Sequence, residues 1–330
     1  MIAEPSFLVA LLRMVARIPP PPPPPPPRGR GRPVVYPDRL FLQGLLIMIV
    51  RRLETVPLLV AVLAAPTEEM ARVRAALAVN GRLPDRRTWE RRWARVPAAL
   101  PAQIGCLGRA LVELTGAWAS HGRAVALDST LLRAQGGVWH VKQRAANLLP
   151  VITLDVEADW GRSGWHGWVY RWNWKLQLAS VVAGCFIPLA ASRTKATVHD
   201  ATAAPALLDE LPPDTRFVLG DTAYQSPTLP AECGLDRWSL VAPRWTPAAA
   251  DDPGTPVRAV LHRLRHVAAE NLNELLKDCF GLHGAVPTTG LLATQRSILG
   301  CVFVYQVALW YRAEHGFPLN VGLKAFLRAA

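Results

Sequence analysis

Three acidic residues of this chain stand beside or within elements that hydrophobic patterning predicts to be buried. Asp128 and Asp221 each follow a short apolar run, and Glu270 lies inside a long helical pattern. An Asp in such a position is more often a turn former or a helix cap, and Asp155 repeats the same local pattern. The order of the three acids, 93 and then 49 residues apart with the last on a helix, nevertheless predicts that their carboxylates converge.

Three convergent carboxylates suit phosphoryl transfer with divalent cations. Two Mg²⁺ ions about 3.5–4 Å apart activate an attacking oxygen and stabilise a leaving oxygen, and such hard cations require oxygen ligands. Without metal the acids repel one another and raise one another's pKa values. We therefore predict Asp128, Asp221 and Glu270 as catalytic and metal-binding residues, with two Mg²⁺ ions as cofactors, Mn²⁺ as a substitute, and activity that depends on metal.

The elements that must position these acids are predicted from periodicity. From residue 123 onward the pattern changes from helical to strand-like, and it later alternates with helices, which predicts a mixed α/β sheet. Strands are expected at 124–127, 151–156, 176–182, 186–191, 217–219 and 239–242, and helices at 200–211 and 256–280.

Residues 36–118 show a helical pattern that we interpret as a DNA-binding region. Thr67 and Asp85 are predicted N-caps of two successive helices, and Trp89 and Trp93 are expected to face inward. A helix, a short turn and an arginine-rich helix favour a helix-turn-helix in a major groove. A solvated basic face on a helical bundle is the alternative. The residues predicted to contact DNA here are Arg86, Arg87, Arg91 and Arg92.

The charge balance favours a polyanionic partner. Lys and Arg number 37 against 25 Asp and Glu, a formal net charge of +12 at pH 7, and residues 1–100 hold 16 Arg against 7 acids. Residues 1–35 are interpreted as an N-terminal arm: a short amphipathic helix, a polyproline II run over 19–27, and an alternating Arg-Gly segment. Arg30 and Arg32 of that segment are predicted to lie in an A·T-rich minor groove, or to touch phosphates without sequence preference.

Cysteine spacing and hydropathy exclude several other classes of protein. The five cysteines are far apart and form no CxxC pair, which argues against a zinc module or a disulfide framework and favours the cytoplasm. The apolar run over 40–50 is about half the length of a bilayer span, and the first residues lack the features of a signal peptide. We therefore expect no membrane segment.

Four segments are similar to those of the DDE transposases of bacterial insertion sequences, whose catalytic domain has a ribonuclease H-like fold. The resemblance runs from about residue 36 to 310. In the last of the four segments, Lys277 follows Glu270 by seven residues, the spacing typical of the family, so the two side chains share one face of the helix. The four segments are Leu127-Asp128-Ser129-Thr130 with 136–140, Gly164-Trp165-His166-Gly167-Trp168 leading to Trp174-Lys175-Leu176, Gly220-Asp221-Thr222-Ala223-Tyr224, and the helix that contains Arg265, Glu270 and Lys277.

The resemblance implies a domain organisation and a function. Residues 119–330 are expected to form a ribonuclease H-like catalytic domain with a mixed sheet and flanking helices, preceded by the all-α DNA-binding region over 36–118. Arg265 and Lys277 are expected to hold phosphates of double-stranded DNA. The implied function is a transposase that binds terminal inverted repeats, cleaves a strand with metal and joins it to target DNA, as a homodimer in the bacterial cytoplasm at the nucleoid.

Departures from the family pattern leave two further hypotheses open. His266 stands where the family has Arg, and Asn273 stands where it has an aromatic residue. Glu274 shares a face with Glu270 and is the rival acid, although its spacing to Lys277 is only three residues. The alternatives are a metal-dependent nuclease of the same fold without strand transfer, and a decayed copy that binds DNA without cutting it.

Overall fold

The structure is a computed structural model that describes residues 6–18, 35–120, 123–136, 141–148, 154–162, 170–182, 184–226, 228–229, 238–241, 255–319 and 321–329. Its helices are α1 (Phe7–Arg17), α2 (Asp38–Val50), α3 (Val56–Ala64), α4 (Glu68–Leu77), α5 (Arg86–Trp93), α6 (Val96–Thr115), α7 (Ala117–Ser120), α8 (Val141–Ala145), α9 (Asp200–Leu208), α10 (Thr255–Phe280), α11 (Leu291–Glu314) and α12 (Leu323–Ala329). Its strands are β1 (Ala124–Arg133), β2 (Asp159–Arg162), β3 (Tyr170–Val181), β4 (Pro188–Lys195), β5 (Phe217–Gly220) and β6 (Trp238–Val241).

The helical prediction for the region before the sheet is confirmed, and so are its two caps. The Thr67 hydroxyl accepts a hydrogen bond from the Met70 N–H at 3.2 Å, which starts α4. The Asp85 carboxylate accepts one from the Thr88 N–H at 2.7 Å, which starts α5. These bonds satisfy N–H groups that lack a partner within the helix.

The apolar face of α1 packs into the helical body. Leu8, Leu11, Leu12 and Val15 are buried, as their helical spacing predicts, and α1 contacts α2, α4 and α11. The proline run and the Arg-Gly segment, with Arg30 and Arg32, lie outside the described residues.

The connection between α4 and α5 is longer than the sequence indicates. Helix α4 ends at Leu77, so residues 78–85 join the two helices, whereas a helix-turn-helix has a turn of about three or four residues. Within the connection Val79 and Arg82 form an isolated antiparallel bridge. Asn80 and Gly81 turn the chain between them with φ of 51° and 73°, a pair of values that Asn-Gly adopts readily.

The arginines of α5 divide into exposed and packed side chains. Arg87 and Arg91 are exposed, and Arg86 is exposed and paired with Glu90 at 2.7 Å. Arg92 is different, because its guanidinium lies 4.9 Å from the centre of the Phe41 ring and pairs with Asp38, and its side chain is 14% exposed. Arg92 therefore connects α5 to α2 in this structure instead of standing on an open basic face.

The strands of the described residues form one six-stranded sheet. β1 lies at its centre, antiparallel to β3 and parallel to β5. β3 carries β2 and β4 along its other edge, both antiparallel, and β6 pairs parallel with β5. This order confirms the predicted mixed α/β architecture and is that of a ribonuclease H-like sheet.

The two faces of β1 pack against different helices, because successive side chains of a strand alternate. Val125 and Leu127 belong to the main core, which also includes residues of α6, α9 and α11. Ala124 and Ala126 pack with Ala268 of α10 on the opposite face. Asp128 has the parity of Ala124 and Ala126, so its side chain faces α10.

Two expectations about elements need correction, and one strand was not expected. β1 does not end at Leu127 but continues to Arg133, so Asp128 lies inside a strand and not at its end. The strand expected at 151–156 is not formed over its described part, where Asp155 accepts a hydrogen bond from the Trp174 indole N–H at 2.9 Å in a turn. β2 was not expected.

Helix α11 was also not expected, and it contains a long apolar stretch. By length and composition it could cross a membrane, but 72% of its most apolar window is buried inside the structure. It packs against α1, α2, α6 and β4. Its apolar surface is therefore used in the core.

Candidate active site

Asp128 and Asp221 reach the same part of the sheet from neighbouring parallel strands. The register of β1 and β5 pairs Ala126 with Leu219, and two further residues along each strand lead to Asp128 and Asp221. Asp128 is held within β1, where it is paired with Leu178 of β3. The two aspartates therefore each stand two residues beyond a pair of residues that lie opposite each other on adjacent strands.

The backbone after β5 fixes the position of Asp221. Its carboxylate accepts a hydrogen bond from the Ala223 N–H at 2.9 Å and caps a short 3₁₀ helix, Thr222–Tyr224. Gly220 allows this turn because the Tyr224 side chain packs directly over it, and a Cβ at position 220 would lie 2.8 Å from the Tyr224 Cβ. Tyr224 itself is buried, so the turn is tied to the core.

Helix α10 brings the third acid to the sheet. The buried Ala268 packs against the face of β1 that carries Asp128, and its carbonyl oxygen accepts a hydrogen bond from the Ser180 hydroxyl of β3 at 3.4 Å. Five residues further along the helix, the Asn273 amide donates to an oxygen of Asp128 at 2.9 Å. Glu270 lies between these two contacts, with its side chain 47% exposed.

A buried guanidinium lies between the first and third acids. Arg265 is 3% exposed, and it lies 3.5 Å from a carboxylate oxygen of Asp128 and 3.6 Å from one of Glu270. The same oxygen of Glu270 is 2.7 Å from the Nδ1 atom of His266. Arg265 thus joins the strand acid to the helix acid, and it does not reach solvent in this structure.

The pKa of Asp128 depends on its burial and on the charges of the neighbouring residues. Burial raises the pKa of its carboxyl from the ordinary 3.8 to about 6, against the opposing effect of Arg265. The negative charges of Asp221 and Glu270 raise this pKa further. The charges of both other predicted acids therefore act on Asp128.

Comparison with known families identifies this region. Residues 119–243 match the family model of the transposase DDE domain. Comparison with curated proteins and with solved structures gave no match. The matched segment contains the strands β1 to β6 with Asp128 and Asp221, whereas Glu270 lies beyond it.

The match confirms the resemblance to DDE transposases over that segment. It supports a nuclease or transposase enzyme that acts on DNA, and DDE transposases generally use divalent metal ions. The residues of this chain that carry out each role remain predictions.

The donor atoms suit a divalent cation, but they are not gathered around one point. Asp128, Asp221 and Glu270 offer carboxylate oxygens, and the buried Oδ1 of Asn273 has no hydrogen-bond partner. Within the described part of the chain, no three His, Cys, Asp or Glu side chains are close enough together to hold a metal ion. When bound, divalent cations supply an activated attacking oxygen and stabilise the leaving oxygen. Asp128, Asp221 and Glu270 are the residues that would hold them.

A polar network that was not predicted lies on the face of the sheet away from Glu270. Lys175 donates to the Asp200 carboxylate and Gln177 donates to the same oxygen, at 2.9 and 3.0 Å. The Tyr224 hydroxyl reaches the Gln177 amide oxygen at 3.4 Å, and burial raises the pKa of Tyr224 well above its ordinary value. This network ties the turn that carries Asp221 to α9, whose first turn is capped by His199.

The remaining residues of the DDE pattern lie further from Asp128. Lys277 donates to Glu274 at 2.9 Å on the surface of α10, and the Glu274 side chain is 62% exposed. Glu270, and not Glu274, is the helix acid whose charge acts on Asp128. Of the tryptophans between 160 and 174, Trp165 and Trp168 lie outside the described residues, whereas Trp174 is fully buried and Trp160 packs against the core. Those two rings are packing residues.

Proposed function

We propose that this chain is a DNA transposase that cuts at the ends of an insertion sequence and joins the freed 3′ end to target DNA. The observation that carries the proposal is the carboxyl of Asp128, which is 15% exposed in the central strand of the segment that matches the transposase DDE domain, and on which the charges of Asp221 and Glu270 act. Two Mg²⁺ ions, with Mn²⁺ as a substitute, are the proposed cofactors.

The chemistry follows from the placement of these groups. Phosphoryl transfer needs an oxygen nucleophile and a leaving oxygen in line, with the charge of the phosphate compensated, and needs no covalent bond to the protein. Asp128 is fixed by its strand and by Asn273, while Asp221 and Glu270 approach from a turn and from a helix. Three acids held by three elements define where the scissile phosphate binds.

Double-stranded DNA is the proposed partner, as terminal inverted repeats and as target. The net charge of +12 supports attraction to a polyanion, and the exposed Arg87 and Arg91 on α5 are available for contact. Lys277, Arg86, Arg30 and Arg32 remain proposed DNA contacts, whereas Arg92 and Arg265 would first have to leave their present partners. A homodimer that holds two ends, in the bacterial cytoplasm at the nucleoid, completes the proposal.

The decisive experiment uses a plasmid with marked element ends, the full chain and Mg²⁺. Joined products are expected, and Glu270→Gln is expected to lower product formation by at least about a hundredfold because it removes a carboxylate that would hold metal. Glu274→Gln is the matched control: it makes the same change one turn along the same helix, on an exposed side chain, and is expected to remain active.

The possible outcomes separate the three hypotheses. Nicking without joining would identify a nuclease that lacks strand transfer. Binding of the repeats without metal-dependent cutting would identify a decayed copy. Equal loss of cleavage in both variants would remove Glu270 from the site, and full activity of Glu270→Gln would do the same.

A further inference from the structure

The group that lies between Asp128 and Glu270 is Arg265, which is also the most buried arginine of the site. Arg265 lies on α10, five residues before Glu270, and its side chain is 4% exposed. It lies within 3.6 Å of oxygens of both acids. A permanent positive charge therefore stands between two of the carboxylates that would bind a metal ion.

This guanidinium balances the negative charge of the two acids, but it does not form the short, well-aligned hydrogen bonds of a structural salt bridge. Its Nε and Nη1 atoms are buried and have no hydrogen-bond partner. Its two ion pairs, at 3.5 and 3.6 Å, are longer than a good charge-assisted hydrogen bond of about 2.7–2.9 Å. A well-fitted buried arginine would instead use its planar fork in bidentate bonds.

A guanidinium and a divalent cation compete for the same carboxylate oxygens. Like charges at such short range repel strongly in a buried environment, so either cation excludes the other. Asp128 keeps a second contact that does not depend on Arg265, because the Asn273 amide holds its other oxygen at 2.9 Å. Removal of the guanidinium would therefore leave Asp128 in place.

We propose that Arg265 is a positioning residue that occupies the metal position in the metal-free protein and is displaced when divalent metal binds. This inference rests on the proposed function, since it takes Asp128 and Glu270 as metal-binding residues. Before loading, Arg265 keeps two acids together that would otherwise repel each other. After loading, it is released toward solvent, where a guanidinium can bind a DNA phosphate.

The test is chemical labelling of the wild-type protein without DNA. Phenylglyoxal modifies accessible arginines, and mass spectrometry of peptides locates each modification. Arg265 is expected to be protected in the metal-free protein and to react about tenfold faster or more when saturating Mg²⁺ or Mn²⁺ is present. Arg263 is the internal control, because it is exposed on the same helix and is expected to react at the same rate in both conditions.

A second measurement compares metal affinity in two matched variants. By calorimetry, Arg265→Gln is expected to bind Mn²⁺ about tenfold more tightly than Arg263→Gln, because both variants lose one charge but only the first loses the competing cation. The labelling experiment uses the wild-type chain, so it remains decisive even if Arg265→Gln does not fold.

Each result has a defined meaning. If wild type binds Mn²⁺ while Arg265 stays protected, or if the two variants bind with equal affinity, the displacement is refuted and the proposed transposase function stands. If wild type binds neither Mg²⁺ nor Mn²⁺, the metal site fails, and both the proposed function and this inference fail with it.

Discussion

Replacing Asp128 by Asn is expected to stabilise the metal-free protein at neutral and alkaline pH. The pKa of Asp128 is raised from 3.8 to about 6, mainly by burial. A carboxyl with a raised folded-state pKa contributes stability that is fully present below its unfolded pKa and is lost as the pH rises through its folded pKa. Asn does not titrate, so the wild type loses stability relative to Asp128→Asn over that window.

The magnitude follows from the size of the shift. One pKa unit corresponds to about 1.4 kcal/mol, so a rise from 3.8 to about 6 sets a ceiling of about 3 kcal/mol. Between pH values of about 5 and 8 the folded-state carboxyl changes from about nine-tenths protonated to almost fully ionised, which accounts for roughly 1–2 kcal/mol of that ceiling. The Asp128 side chain is 15% exposed, so solvent screening reduces this value little.

The assay is urea unfolding of both proteins with a chelator at the two ends of this pH window. The advantage of Asp128→Asn over wild type is expected to grow by roughly 1–2 kcal/mol from the acidic to the alkaline end. Asp209→Asn, which makes the same change at an exposed position, serves as the control. A difference that does not change with pH, or that shrinks as the pH rises, would show that the Asp128 carboxyl is not destabilised by its surroundings.

Two other substitutions test the supports of the site and of the helical region. Gly220→Ala places a Cβ 2.8 Å from that of Tyr224, so overpacking should lower the free energy of unfolding in urea by about 1–3 kcal/mol. The variant should also cleave DNA more slowly, because Asp221 is moved. An unchanged urea midpoint would contradict this contact. Trp89→Ala empties a fully buried site beside Phe41 and Gly44 and should cost about 3–5 kcal/mol, measured by thermal unfolding; a loss near zero would mean that this ring is not packed.

Local signals in the sequence predicted the elements whose ends are marked by short-range chemistry. Thr67 and Asp85 cap the helices they precede, and the amphipathic pattern of α1 buries the expected face. The strand β5 and the helix α10 lie within one or two residues of their predicted bounds. In each case the residues that determine the element are neighbours along the chain.

The second half of β1 depends on long-range pairing and could not be predicted from its own residues. Ser129 and Thr130 follow Asp128 in a polar stretch, and the strand there is held by its antiparallel partner β3.

Helix α11 was not predicted for a different reason. Most of its residues are buried all round, so no polar face marks a helical period.

The partners of Asp128 on α10 left a weaker signal that could have been used. Arg265 and Leu272 are seven residues apart and share one face of the helix, and Asn273 lies beside that face; all three are buried. A charged and an amide side chain on the apolar face of a helix indicate a buried polar contact. The partner residue in that contact cannot be predicted from the sequence, because the partner depends on where α10 crosses the sheet.

The three acids differ in how firmly the fold holds them, and this difference suggests how a metal site would be assembled. Asp128 belongs to the central strand, where its backbone is paired with Leu178 of β3, and its carboxylate is bonded to Asn273. The Asp221 carboxylate is held by one hydrogen bond, from the Ala223 N–H, and the Glu270 carboxylate by two side-chain contacts, with His266 and Arg265. Contacts of that kind exchange at small cost, whereas β1 cannot move without disrupting the sheet. On the proposed function, the strand acid is therefore the fixed ligand, and the turn acid and the helix acid adjust toward it when metal takes the place of the guanidinium.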